Sequence, residues 1–97
     1  MHTSTTEGML RTTIAALLHA TGERQEDLAA GVRLSQPQVS RKQRGQSSWS
    51  LADLDRLAAH YGVPVPDLLM GPTHAVRQLP AVRPAAAICG TQSVIAV

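Results

Sequence analysis

Residues 34–45 read LSQPQVSRKQRG. Ser and Gln side chains come first, the cations Arg41, Lys42 and Arg44 come last, and there is no acid. Ser35-x-x-Gln38 has the form of a capping box, in which the Ser oxygen takes the N3 amide and the Gln reaches back. Pro37 falls in the first turn, where a missing N–H costs nothing, and Gly45 is a C-terminal stop. The spacing predicts a third helix over 36–44 whose inward residue is Val39. A segment built to fill a core would carry more apolar residues, and a plain loop would need neither Val39 nor a helix start. Something polar is expected to lie against this helix.

Working outward, Met9, Leu10, Ile14, Leu17 and Leu18 repeat at spacings of three and four and predict a first helix over 6–20, closed by Gly22. Leu28, Ala29 and Val32 follow acids placed in a first turn and predict a short second helix over 24–31. Beyond the loop 46–49, Ser50-x-x-Asp53 begins a fourth helix with a stripe of Leu51, Leu54, Leu57, Ala58 and Tyr61, ended by Gly62. Residues 64–70 give a short fifth helix carrying Val65, Leu68 and Leu69. The expected fold is all-α: a compact five-helix domain over 9–72 with a tight turn between its second and third helices. Residues 1–8 are expected to be a flexible N-terminus. Residues 73–97 hold Pro80 and Pro84, no acid and no clear period. They are read as a mostly irregular tail, with a short helix over 84–88 left open.

The 97 residues suffice for one small domain, and with one Trp, one Tyr and no Phe the core must come from Leu, Ile, Val and Ala. That composition favours small helices over a β-sandwich. The net charge is only +2, but Arg33, Arg41, Lys42 and Arg44 fall in a stretch without acids. A local basic patch suits docking on phosphate; a solvated helix end is the alternative. Cys89 is the sole cysteine, which excludes a disulfide framework and fits a reducing cytoplasm. The polar start MHTSTTEG gives no signal peptide, and no window is apolar enough to span a membrane. His2, His19, His60 and His74 lie far apart without metal-ligand spacing. Asp53 and Asp55 point to different sides of a helix, and no Gly-rich phosphate loop follows a strand. The residues therefore point to a binding protein without cofactor or metal rather than to an enzyme.

Gln25-Glu26-Asp27-Leu28-Ala29, then Leu34-Ser35-Gln36-x-x-Val39-Ser40-Arg41 with Arg44-Gly45, then Ser50-Leu51-x-x-Leu54-x-x-Leu57-Ala58-x-x-Tyr61-Gly62-Val63-Pro64 with Asp67-Leu68-Leu69, form an ordered series. It resembles the Cro/repressor-like (XRE-type) helix-turn-helix domains of phage and bacterial regulators over about residues 10–70. The chain departs from that pattern at Leu18, Glu23, Arg24, Arg33, Lys42 and Gln43. The resemblance implies a lambda-repressor-like fold, a third helix in the major groove, base-facing Gln36, Pro37 and Arg41, and a phosphate contact from Gln25. The chemistry of the residues extends this set. Gln36 and Gln38 each offer a donor and an acceptor, matching adenine, while Arg41 fits guanine or a phosphate. Pro37 and Ser40 suit a thymine methyl. Arg33, Lys42, Arg44, Ser47 and Ser48 are candidates for phosphate. Local roles compete with these: Gln38 as a cap only, Lys42 lying over the Val39 face, Arg33 as an exposed turn residue, and Trp49 either packed on the fourth helix or presented to a partner.

The expected function is a sequence-specific regulator of duplex DNA, a phage-type repressor of the immunity kind, acting on an operator. Related domains often pair as two-fold dimers, and monomer or homodimer stays open here, with the fifth helix, Trp49 and the tail as candidate interfaces. An antitoxin-like module whose tail binds a partner protein is the alternative. The end Val94-Ile95-Ala96-Val97 resembles tags read by bacterial ATP-dependent proteases, making such a protease a candidate partner through Ile95, Ala96 and Val97. A strand added across a dimer and an unstructured end are the competing readings. The Ala/Arg/Pro-rich composition fits a high-GC actinobacterial or phage source. The tag reading predicts that changing Ala96→Asp and Val97→Asp lengthens the protein's half-life in bacterial cells; an unchanged half-life removes it.

Overall fold

In a computed structural model of the chain, residues 5–81 are described, and they form six α-helices. The helices are α1 (Thr5–Thr21), α2 (Gln25–Val32), α3 (Gln36–Gln43), α4 (Leu51–Tyr61), α5 (Val65–Leu68) and α6 (Pro72–Arg77). No strand occurs among the described residues. Helix α2 packs on α3 and α4, α4 on α5, and α6 on both α5 and α1. The pair α2–α3, joined by Arg33-Leu34-Ser35, is a helix-turn-helix.

Most of each predicted stripe is buried, but Met9 on α1 and Leu51, the first residue of α4, are exposed. On α1 the buried residues are Leu10, Thr13, Ile14 and Leu17. Thr13 is tolerated there because its hydroxyl donates to the Met9 carbonyl at 2.9 Å. On α4 they include Leu54, Leu57 and Tyr61. Both aromatic residues enter the core: Tyr61 is fully buried and Trp49 nearly so. Trp49 therefore packs inward and is not a partner surface.

Two expectations about the boundaries are corrected. Residues 5–8, expected to be flexible, already belong to α1. Beyond Pro72, where an irregular tail was expected, α6 forms and extends the domain. It begins at Pro72, which presets φ, after Gly71 at φ 108°. Ala75 is fully buried, with Val76 and Leu79 packed against the same core. A six-residue helix anchored by an alanine carries too little apolar periodicity to stand out in sequence. The proposed helix over 84–88 and the terminal tag residues lie outside the described residues.

The caps explain where the helices start. Ser35 Oγ accepts from the Gln38 amide at 3.3 Å, and Gln38 Oε1 accepts from the Ser35 amide at 2.8 Å. Ser50 and Asp53 repeat the exchange at the start of α4, at 3.0 and 2.9 Å. At α2 the first position is Arg24, whose side chain has no acceptor, so only the return half forms: Asp27 Oδ2 accepts from the Arg24 amide at 3.0 Å. Helix α2 ends on Arg33 in the left-handed region, at φ 62°, and the Leu34 amide donates to Ala29 O at 2.9 Å to close the turn.

Helix α2 is fixed from behind by a buried pair. His60 Nε2 on α4 lies 2.8 Å from Glu23 Oε2 in the α1–α2 loop. The His60 ring occupies the space beside Gly31, where an added Cβ would come within 2.1 Å of Nδ1. Gly31 is thus required by packing, although it weakens the helix relative to Ala.

Helix α3 is fixed to α4 by Lys42. Its Nζ lies 3.1 Å from Asp53 Oδ2 and donates to Ser48 O at 2.8 Å. Burial of Asp53 pushes its carboxyl pKa up, but the Ser50 amide, then the hydrogen bond and charge of Lys42, outweigh this and hold it below the ordinary 3.8. Because the folded-state value is depressed, the stabilisation is complete above the ordinary value and is lost as pH falls through the folded value.

Two predictions follow from these local geometries. Arg33→Gly removes left-handed strain and should stabilise the domain by about 1 kcal/mol, read as a higher urea midpoint by Trp49 fluorescence. The midpoint of the natural chain should fall as the pH drops below 3.8, and Asp53→Asn should flatten that acid limb.

Candidate nucleic-acid interface

Helix α3 has two faces of opposite character. Val39, Lys42 and Gln43, at spacings of three and four, point to the body of the domain. Val39 is fully buried. Gln43 is held at both ends of its amide: Oε1 accepts from the Trp49 indole N–H at 3.1 Å, and Nε2 donates to the Arg11 carbonyl at 3.1 Å. Pro37, Ser40, Arg41 and Arg44 share the other side, again at spacings of three and four, and Gln36 opens the helix beside Gln25 of α2. Gln36, Pro37, Arg41 and Arg44 are exposed and Ser40 is half-exposed. Five of the residues singled out in the sequence are thereby brought onto one outward surface.

The N-termini of α2 and α3 meet at this surface. Gln36 Nε2 donates to Gln25 Oε1 at 3.1 Å. The bond fixes the Gln36 amide while leaving its carbonyl oxygen and one N–H for another partner, the donor–acceptor pair that adenine requires. Gln25 keeps its own NH2 group as a donor suited to phosphate. Arg33 is exposed at the far end of α2, in the turn, and Ser47 and Ser48 are exposed in the loop after α3.

Two candidates are engaged within the domain itself. Gln38 was expected to read a base, but its Oε1 accepts from both the Ser35 amide, at 2.8 Å, and Ser35 Oγ, at 3.1 Å. A two-point bond to adenine would require the cap to open. Lys42 was expected at a phosphate or snorkelling over Val39. Instead its ammonium is engaged by Asp53 and the Ser48 carbonyl, and it lies 5.8 Å from the centre of the Trp49 ring. Spacing from Val39 does not separate Lys42, three residues after it, from the exposed Gln36, three residues before it; the partner Asp53 on α4 makes the difference.

Gln43 and Asp53 were not assigned to this region from sequence, although they position α3. Their partners lie on other elements, and no local pattern announces them. Of the histidines in the described region, His60 pairs with Glu23 and His74 with Asp67, the latter at 2.8 Å. No group of three or more His, Cys, Asp or Glu that could hold a metal ion occurs among the described residues. No described helix is long and apolar enough to cross a membrane.

The family model described as the BetR domain matches residues 5–96. No curated protein and no solved structure matches the chain. The match names this family rather than the Cro/repressor family suggested by the residue series. With nearly the whole chain covered, and with a helical fold built around a helix-turn-helix, the protein belongs to the BetR domain family, small helical domains related to helix-turn-helix DNA-binding proteins.

Proposed function

We propose that this protein is a sequence-specific regulator of duplex DNA that lays α3 in the major groove and represses by occupying an operator. The observation that carries the reading is the division of α3 into an anchored face and an outward polar one. An α-helix fits the major groove, and the N-terminal residues of the second helix of such a motif reach base edges. Gln36 and Arg41 then read bases, Pro37 and Ser40 make apolar or hydroxyl contacts, and Gln25, Arg33, Arg44, Ser47 and Ser48 take phosphates. The protein acts by binding, with no cofactor and no catalytic step, on DNA in a bacterial cytoplasm. Within this reading it is a phage-type repressor.

We further propose a homodimer. Met9, Leu69 and Met70 are exposed apolar residues, and Met9 Sδ lies 3.8 Å from the position a Cβ on Gly71 would take. That places Met9 beside the segment joining α5 to α6 and gives an apolar area for a second copy. Two copies would bind half-sites about 34–36 Å apart.

Selection of the full chain on a randomised duplex library should enrich one site, and a palindromic site is expected for the dimer. Absence of enrichment by the folded protein would favour the antitoxin-like module. Gln36→Ala should cost about 1–3 kcal/mol on the selected site and relax one base position. An unchanged site and affinity would overturn this docking of α3. Arg44→Ala should weaken binding to all sequences alike and lower the salt slope by about one unit, measured by anisotropy of a labelled duplex.

A further inference from the structure

Arg11 lies on α1, outside the helix-turn-helix, yet its guanidinium sits against the end of α3. A Cβ built on Gly45 would lie 3.5 Å from Arg11 Cζ and 3.7 Å from both Nη1 and Nη2. The group therefore packs on the bare backbone of the residue that follows Arg44. On its other side is Gly8, one turn back along α1, where an added Cβ would be 3.9 Å from Nη2. Arg11 is partly exposed. The ion pairs among the described residues involve Arg24, Lys42, Arg56, His60 and His74, not Arg11. Its backbone is held in place, since the Arg11 carbonyl accepts from Gln43 Nε2 at 3.1 Å. A cation thus stands beside Gly45, the residue after Arg44. Lys42, the cation that sequence spacing assigned to this region, is meanwhile neutralised by Asp53.

We propose that Arg11 is a phosphate-contacting residue of the DNA interface, gripping the strand that passes the C-terminal end of α3. The proposal rests on the DNA-binding reading above. A guanidinium offers a planar fork of N–H donors that matches phosphate oxygens two at a time. At Gly8 and Gly45 no side chain stands between that fork and the backbone, and Arg11 is partly exposed. A phosphate contact positions the protein and carries no sequence information of its own. The contribution of Arg11 is therefore the same on any duplex and falls as salt rises, because each phosphate neutralised releases counterions.

The test compares the natural full chain with Arg11→Gln and Arg11→Lys. Binding is measured on a duplex carrying the selected site and on a scrambled duplex, from about 50 mM to about 200 mM salt. Arg11→Gln should reduce the slope of log affinity against log salt by about 0.9 on both duplexes. Its affinity deficit should shrink about 3.5-fold across that salt range. Arg11→Lys should keep the slope. Arg, Gln and Lys have nearly equal helix propensities, and Trp49 fluorescence during urea unfolding reads the stability of each variant. A lowered unfolding midpoint with an unchanged salt slope, in Arg11→Gln, overturns the proposal and makes Arg11 a packing residue. A deficit confined to the selected site also overturns it. If the natural chain binds DNA and Arg11→Gln keeps its slope, this proposal alone falls. If the natural chain shows no salt-dependent binding, the DNA-binding reading falls with it.

Discussion

Helix α3 has one fully buried apolar side chain, Val39, and the rest of its attachment is polar. Burying one valine stabilises by roughly 1.5–3 kcal/mol, and an eight-residue helix is not stable alone. The position of α3 therefore depends on the bracket formed by Gln43 and Lys42. Gln43 joins the indole of Trp49 to the backbone of α1. Lys42 joins the start of α4 to the loop before it. Both residues fall in the last turn of α3, so the helix is tethered at its C-terminal end while its N-terminal end is presented outward. Such an arrangement suits a helix that must be rigid and yet leave most of its surface for another molecule.

The other half of the motif is constrained differently. Helix α2 buries Leu28, Ala29 and Val32, and behind it the pair His60–Glu23 fills the space left by Gly31. At its end the chain turns through Arg33, held in a conformation that glycine would adopt at lower cost. The turn carries a charge at some expense in backbone strain, and that charge is exposed on the side of the chain leading into Ser35. Helix α2 then meets α3 through the bond between Gln25 and Gln36. The bond lets the N-terminus of one helix orient the first side chain of the other.

Much of the fold was legible because its signals are local. Ser35 with Gln38 and Ser50 with Asp53 mark helix starts by direct exchange of hydrogen bonds three residues apart. Glycines 22, 45 and 62 mark ends by adopting positive φ. The stripes on α1 and α4 follow the period of the helix. Helix α6 escaped because its anchor is the small side chain of Ala75 and its six residues make less than two turns. Gln38 and Lys42 show a related limit: composition identifies a polar or cationic residue but not which partners the fold gives it.

Where most helices begin and end, their all-α assembly and the polar outer face of one short helix follow from local pattern. These depend on contacts within about four residues, where spacing and geometry are tied together. Only the tertiary structure decided which charges remain available. Lys42 is neutralised by a carboxylate 11 positions away, and Gln43 takes its partners from Trp49 and from the Arg11 carbonyl 32 positions back. Arg11, distant in the chain, is brought to the end of α3, where its carbonyl accepts from Gln43 and its guanidinium lies near Gly45. Electrostatic and hydrogen-bond partners act through space, and the distances that govern them are fixed by how the helices pack, not by order along the chain.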